Sequence, residues 1–596
     1  MSDYVAPLKD MQFVLQELAG LDEITKLPGC EEVSAELVEQ ILEESGKFCA
    51  EVLAPLNQSG DVEGSKWDNG RVTTPKGFIQ AYKQFVEGGW NALQFPPEFG
   101  GQGLPKLVAT PVMEMWKSAN LSFSLCPLLT GGAIEALLLR GADALKKTYL
   151  PKMVEGAWTG TMNLTEPQAG SDLALVKSKA VPEGEHYRVS GQKIFITYGE
   201  HDLAENIVHL VLARTPNAPE GVKGISLFVV PKFLVNADGS LGKRNDVHCA
   251  SIEHKLGIHA SPTAVLIFGE KEGAIGYLVG EENHGLAYMF IMMNAARFAV
   301  GLEGVAISDR AYQLALAYAK ERVQGRDLAG GGKAVPIIRQ PDVRRMLMSM
   351  KAQTEAMRAL AYVVAAAMDI AQRDPDAALR ARHQAFADMM IPVVKGWCTE
   401  NCIEVASIGI QVHGGMGYVE ETGAAQLLRD ARITTIYEGT TAIQSNDLVG
   451  RKLAREGGAT AKEVIKAMRV VEAELARAQG EDMAAIRASL AAGIKAVEES
   501  VTWIVAAYAA DVKAVHAGSV PFLKLMGIVC GGWQVARAAL VAQKRLPAKE
   551  GDAAFYQAKI ATARFYADHV LAQAPGLRNT VVRGAAGVMA LTEEQF

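Results

Sequence analysis

Glu438 stands in the run Arg429-Asp-Ala-Arg-Ile-Thr-Thr-Ile-Tyr-Glu-Gly-Thr-Thr-Ala-Ile-Gln444, inside a β-branched, apolar stretch and directly before a glycine. A carboxylate in such surroundings is partly desolvated, which raises its pKa and makes it a better proton acceptor. A lone glutamate is far more often a solvated surface residue. Met162-Asn-Leu-Thr-Glu-Pro-Gln-Ala-Gly-Ser-Asp172 runs from a strand-like opening into proline and glycine. That turn offers backbone N–H groups and the hydroxyls of Thr165 and Ser171 to a phosphate or to the polar edge of a ring, and the same composition suits an ordinary surface loop. Gln411-Val-His-Gly-Gly-Met-Gly-Tyr418 breaks a helical pattern with three glycines in four residues. Bare backbone of this kind allows close approach of a ligand, or simply connects two helices. No strand precedes it, so it is not a dinucleotide fingerprint. Arg322-Val-Gln-Gly-Arg326 closes a long helical pattern and offers guanidinium and amide groups to a diphosphate, or to solvent. Cys398 and Cys402 lie four apart on one helical face with no complementary histidine pair, so buried thiols are expected there and no metal.

The elements that must position these residues belong to a chain of 596 residues, room for about three to five domains or one multi-lobed enzyme. Apolar residues make up 49% and charged residues 21%, which excludes a disordered or fibrous chain. Lys and Arg number 60 against 67 Asp and Glu, a net charge of -7. A chain that lives on nucleic acid or an anionic membrane carries the opposite excess, so neither partner is expected. Seven irregularly spaced cysteines read as reduced thiols, and the start Met1-Ser2-Asp3-Tyr4 has no secretory pattern. The expected location is the cytoplasm. The longest apolar runs, near 359–368 and 504–510, are about ten residues or fewer against about 20 for a membrane-spanning helix, so no membrane insertion is expected.

Residues 8–90 and 105–154 carry apolar positions at helical spacing, separated by a Pro- and Gly-rich loop at 96–103. From Trp158 to about Val279 the sequence favours strands, with at least four β-rich runs starting at Tyr187, Ile207, Ile225 and Ala264. Helical spacing returns at 285–323, 342–372, 377–412 and 440–454, and alanine-rich helices fill 460–596. The shifts divide the chain into 1–156 (helical), 157–280 (β), 281–457 (helical, with Glu438) and 458–596 (further helices). The predicted fold class is mainly α with an inserted β domain. In the last segment Lys495 and Lys513 are interleaved with Glu498, Glu499 and Asp511, unlike a membrane-surface helix with its basic face. A structural module covering the preceding bundle is expected.

Six runs occur in order over about residues 40–455: Thr165-Glu-Pro-Gln-Ala-Gly-Ser-Asp172, Lys193-Ile-Phe-Ile-Thr197, Lys255-Leu-Gly-Ile-His-Ala-Ser261, Arg322-Val-Gln324, Gln411-Val-His-Gly-Gly-Met-Gly-Tyr418 and Ile436-Tyr-Glu-Gly-Thr440. Together they resemble the acyl-CoA dehydrogenase family, and the length resembles its long bacterial branch. The resemblance implies an N-terminal helical domain, a middle β-barrel or sheet domain and a C-terminal four-helix bundle, here with an extra helical module. It implies FAD-dependent conversion of an acyl-CoA to the trans-2-enoyl-CoA, with Glu438 taking the α-proton, flavin N5 taking the β-hydride, and an electron-transfer flavoprotein as acceptor. By the same resemblance Leu164, Thr165, Phe195 and Thr197 line the flavin, and Ser171 meets both flavin and CoA. Arg322, Gln324, Gln411, Gly414 and Gly415 hold the diphosphate and adenosine half from a neighbouring subunit of a homodimer. Thr440 and Ala442 touch FAD, and Arg297, Tyr437 and Gly439 lie near the substrate. Three departures stand out: Phe195 where tryptophan is commoner, His259 where arginine is common, and a glycine-rich 325–335 segment in place of an aromatic-glycine step. Two other readings remain: an acyl-CoA oxidase-type flavoenzyme that reduces O2, and a non-catalytic acyl-CoA-binding or scaffold protein.

Overall fold

The computed structural model describes residues 4–330, 332–546 and 552–596. The Met1-Ser2-Asp3 start and Gly331 of the 325–335 segment lie outside them. The chain forms two compact units, neither continuous in sequence. One joins Lys47–Leu104 to Ala119–Ala299; the other joins the described residues of Ser2–Gly46 and Val300–Phe596 to Pro105–Ser118.

The first unit is built on an eight-stranded sheet: β1 (Trp158–Asn163), β2 (Lys179–Glu183), β3 (His186–Thr197), β4 (Asn206–Ala213), β5 (Ser226–Pro231), β6 (Val247–Ile252), β7 (Thr263–Phe268) and β8 (Ala274–Leu278). The order is β6-β7-β3-β8-β5-β4-β1, with β2 on β3, and only β1 and β4 run parallel. Every residue of β4 is buried, because successive side chains point to opposite faces and each face has its own core. Val208, Leu210 and Leu212 pack with Ala133, Ile134 and Leu137 of helix α1 (Leu121–Arg140). Val211 and Ala213 pack with Val189, Leu266 and Phe268. Asn120 caps α1 by accepting the Phe123 N–H at 3.1 Å.

Long helices make the second unit, which takes α2 (Gly285–Glu321) from Val300 onward and adds α3 (Pro341–Arg373), α4 (Ala377–His413), α5 (Ala424–Ile433), α6 (Thr441–Asp447), α7 (Ser519–Arg545) and α8 (Ala553–His569). Pro341 opens α3 at its first turn, where its missing N–H costs nothing. Asp376 caps α4 through the Ala378 N–H. Helix α7 lies against α4 so closely that a Cβ at Gly527 would enter the ring of Trp397. At the centre Arg358 of α3, 2% exposed, donates to Glu114 at 2.7 and 2.9 Å, Asp309 at 2.8 Å and Asp10 at 2.6 Å. Lys559 of α8 joins this group through Asp10 and through Glu355 at 2.8 Å. The helices after residue 458 therefore pack into the bundle rather than standing apart.

Three sequence expectations need correction. Residues 66–73 do not continue the helix: Lys66–Asp68 pairs with Arg71–Thr73. Asn69 and Gly70 both take positive φ, 48° and 82°, the backbone of a two-residue hairpin turn that Asn-Gly favours. Arg322 does follow the exposed end of a long helix, but Gln324 does not belong to that helix end. Helix α2 stops at Glu321, and β9 (Val323–Arg326) turns back on β10 (Ala334–Pro336). The membrane reading rested on unbroken apolar runs, yet α1, α2 and α7 are each long and apolar enough to span. Their apolar windows are 78%, 72% and 89% buried inside the protein, which accounts for that apolarity without a bilayer.

Candidate active site

The turn carrying Glu438 joins α5 to α6. It closes through the Thr441 N–H on the Thr435 carbonyl at 3.1 Å, and Thr440 caps α6 by accepting the Ile443 N–H at 3.3 Å. Glu438 itself has φ of 55° and is half-buried. A non-glycine residue in this left-handed region is strained by about 1–3 kcal/mol and persists only where its surroundings over-determine it. Here they do. The Gln444 amide donates to the carbonyls of Glu438 and Gly439, each at 3.1 Å. The buried Lys395 ammonium donates to the Gly439 carbonyl at 2.7 Å. Gly439 has φ of 87°, and a Cβ there would lie 2.8 Å from the Gln444 Nε2, so a side chain at this position would push away the group that holds the turn. Tyr437 is half-buried and donates its hydroxyl to Glu303. Ala442 is exposed on α6.

In the first unit, the 164–178 loop is organised by the buried Glu166. Its carboxylate accepts from the Lys193 Nζ at 2.8 Å, the Ser178 N–H and hydroxyl at 3.0 and 2.6 Å, the Lys177 N–H at 2.7 Å and the Gln168 amide at 2.6 Å. Burial pushes this carboxyl up, but the Lys193 charge and the hydrogen bonds outweigh it and bring it down to about 2. Lys193 also donates to the Leu164 carbonyl at 3.0 Å, and the Ile194 N–H donates to the Thr165 carbonyl at 2.9 Å. Leu164 and Thr165 are thus pinned to β3. At that point the β3–β7 ladder slips: Ile194 and Phe195 together oppose Val265. The bulge turns Phe195 outward at φ of 59°, leaving it 59% exposed. Thr197, half-buried, follows on the same strand, and Ser171 is exposed on the loop. An outward aromatic face bordered by a pinned loop with hydroxyls and backbone polar groups fits a planar heteroaromatic ring such as a flavin.

Arg297 is buried on α2 at 4% exposure. Arg322, between α2 and β9, and Gln324, on β9, are exposed. His413 ends α4, stacked on Tyr318 at 4.5 Å and bonded to the Gly409 carbonyl at 2.6 Å. The exposed Gly414 and Gly415 follow, after the exposed Gln411. Their chain neighbours aside, no atom of the described residues comes within 4 Å of a Cβ built at either glycine, so their backbone is open to a ligand. His259, in the place of an arginine, is engaged within the first unit by Asp61 at 2.9 Å and the Lys255 carbonyl at 2.8 Å. All seven cysteines are free and buried, and among the described residues no group of His, Cys, Asp or Glu is placed to hold a metal ion. The sequence reading missed Glu303, Lys395 and Gln444. The signal was available for the first two: single charges within the apolar helical runs 298–307 and 391–398.

Four family models match in succession: the acyl-CoA dehydrogenase N-terminal domain at residues 36–157, its middle domain at 161–270, its C-terminal domain at 283–453, and an acetyl-CoA dehydrogenase C-terminal-like domain at 461–592. The 3-methylmercaptopropionyl-CoA dehydrogenase of Ruegeria pomeroyi is 53% identical over 578 residues, 96% of each chain. The broad-specificity linear acyl-CoA dehydrogenase FadE5 of Mycobacterium tuberculosis is 34% identical over the whole of both chains. Among solved structures, an acyl-CoA dehydrogenase from Bacillus anthracis complexed with FAD superimposes with a TM-score of 0.74 at 21% identity, over 96% of this chain and 92% of that one. The chain belongs to the acyl-CoA dehydrogenase family, in its long form with the additional C-terminal helical domain.

Proposed function

We propose that the protein catalyses FAD-dependent α,β-dehydrogenation of a short-chain acyl-CoA thioester, with Glu438 as the base. The observation that carries this reading is the strained backbone of Glu438, held by Gln444 and Lys395 in the Tyr-Glu-Gly-Thr turn. FAD, when bound, supplies the acceptor for the two electrons and the hydrogen that leave the β-carbon. The chain's own residues do the rest. Glu438 takes the α-proton, so that the Cα–H and Cβ–H bonds break as the Cα=Cβ bond forms. Its backbone N–H is the proposed donor to the thioester oxygen, whose negative charge grows as that proton leaves. Phe195, Leu164, Thr165 and Thr197 would hold the flavin ring, with Ser171 beside ring and CoA. Thr440 and Ala442 would also touch FAD, and Arg297, Tyr437 and Gly439 would border the acyl group. The exposed Arg322, Gln324, Gln411, Gly414 and Gly415 would serve the adenosine diphosphate half of a neighbouring subunit's FAD. The name of the 53%-identical relative favours 3-methylmercaptopropionyl-CoA as substrate, and the buried free thiols suit a reducing, cytoplasmic setting.

The purified protein, loaded with FAD, is expected to reduce an electron-transfer flavoprotein or an artificial acceptor with 3-methylmercaptopropionyl-CoA and butyryl-CoA. Stoichiometric peroxide under air without an acceptor would replace this reading with an oxidase. A protein that takes up no FAD would replace it with a binding role. We further propose a homodimer, because α7 already covers the Trp397 face of α4. Light scattering on the full chain is expected to give two subunits; four would mean that another face assembles.

A further inference from the structure

Behind the Tyr-Glu-Gly-Thr turn lies a buried polar group that no step above uses. Glu303 of α2 is fully buried in the second unit and accepts the Tyr437 hydroxyl through Oε2. Its other oxygen, Oε1, has no hydrogen-bond partner among the described residues. A carboxylate in an apolar helical stretch is costly to bury, and packing alone would be served better by an alanine or leucine. Lys117, on the helix Lys106–Ala119 and 3% exposed, acts on it electrostatically. Lys395 of α4 acts on it too while donating to the Gly439 carbonyl at 2.7 Å. Two charged groups on two helices therefore grip the residues immediately before and after Glu438. Tyr437 is tied on one side by Glu303, and Gly439 on the other by Lys395.

We propose that Glu303 is a positioning residue for this reaction: its bond to the Tyr437 hydroxyl, paired with the Lys395 bond to Gly439, fixes the left-handed backbone of Glu438 in the orientation that proton abstraction requires. The proposal rests on the reading of Glu438 as the base. The groups facing Glu303 are Lys117, Lys395, Tyr437 and, on α4, the buried Cys402. Burial pushes the Glu303 carboxyl up to about 7, against the pull of Lys117, Tyr437 and Lys395. The ionised carboxylate is the stronger acceptor for the tyrosine hydroxyl. The grip is therefore complete above this value and weakens as the pH falls through it.

The test is anaerobic stopped-flow flavin reduction by butyryl-CoA across pH 5.5–9 in wild type, Glu303→Gln, Tyr437→Phe, the double variant and Glu438→Gln. Glu303→Gln is expected to keep its FAD and its substrate Kd. Its limiting reduction rate falls about 10- to 100-fold, the scale of a small misplacement of the reacting group, and the limb near neutral pH disappears. Tyr437→Phe is expected to lose reduction rate and the neutral limb in the same way, and the double variant to be no slower than the slower single one, since glutamine weakens and phenylalanine removes the same bond. Should Glu303→Gln not fold, Tyr437→Phe reads the same limb. A wild-type rate and pH profile in the Glu303→Gln or Tyr437→Phe protein, with Glu438→Gln inactive, overturns this inference alone. Full activity in Glu438→Gln overturns the reading of the base instead. Losses that simply add in the double variant assign Glu303 to general stability and overturn the positioning role.

Discussion

Replacing Glu438 by glutamine is expected to leave a yellow protein that binds acyl-CoA normally but reduces its flavin about 10²–10⁴-fold more slowly. The amide matches the carboxylate in size, and glutamine bears the same backbone strain at φ of 55° as glutamate does. The Gln444 and Lys395 bonds to the turn go to backbone carbonyls, so they survive the change. What would be lost is the basic oxygen proposed to accept the α-proton, and losing an interaction made only in the transition state lowers the reduction rate without raising the substrate Kd. Anaerobic mixing with substrate and observation of flavin bleaching reads this directly. Bleaching at the wild-type rate would move the base to another residue.

Arg358→Met is expected to destabilise the second unit by about 3–5 kcal/mol, a large part of the roughly 5–15 kcal/mol that holds a typical domain folded. The methionine fills much of the arginine's volume, but Glu114 and Asp309 would then share a buried space without their common cation. Glu114 is fully buried, and among the described residues its only other side-chain donor is the Tyr362 hydroxyl at 2.7 Å. Asp10 would keep Lys559 but lose the guanidinium. Burial raises the Asp10 carboxyl, while Lys559 and Arg358 more than offset this and hold it well below the ordinary carboxylate range. Its contribution to stability is therefore present above about pH 4 and fades as the pH falls toward the lower folded value. Urea unfolding at pH 7 is the measurement, and a midpoint equal to that of the wild type would mean that the network is not what holds these helices together.

The order helix, strand, helix was legible because helices and strands repeat their apolar positions at different periods, and the switches near Trp158 and Gly285 are sharp. The six short runs were legible as a set because turns and ligand loops are local. What escaped was non-local or depended on a competing signal. Asn69-Gly70 is a hairpin turn, but it was read through as part of a helical stretch because the flanking strands are only three residues each. Val323–Arg326 followed a helix of 37 residues, and nothing in the four residues announces a strand until Ala334–Pro336 returns to pair with them. The partners of Glu303 and Arg358 sit 134 and up to 348 positions away, beyond the reach of any periodicity. The left-handed backbone of Glu438 was equally hidden, since glutamate does not favour it and only its tertiary holders impose it.

The placement of residues 4–46 has a consequence for how the chain is made. Asp10 and Leu18 find their partners at Lys559 and Arg537, 549 and 519 residues downstream. During synthesis Met11, Phe13, Leu15 and Leu18, all buried in the finished protein, leave the ribosome long before their partners exist. At about 5–20 residues per second the interval is on the order of a minute. The stretch from Lys47 to Ala299 can meanwhile complete most of the first unit, while the amino-terminal segment stays exposed as an apolar tail on a growing chain. Such a segment is a natural client for a chaperone that works at the exit tunnel. A nascent chain arrested before Lys559 should remain bound to it, while one in which α8 has emerged should not.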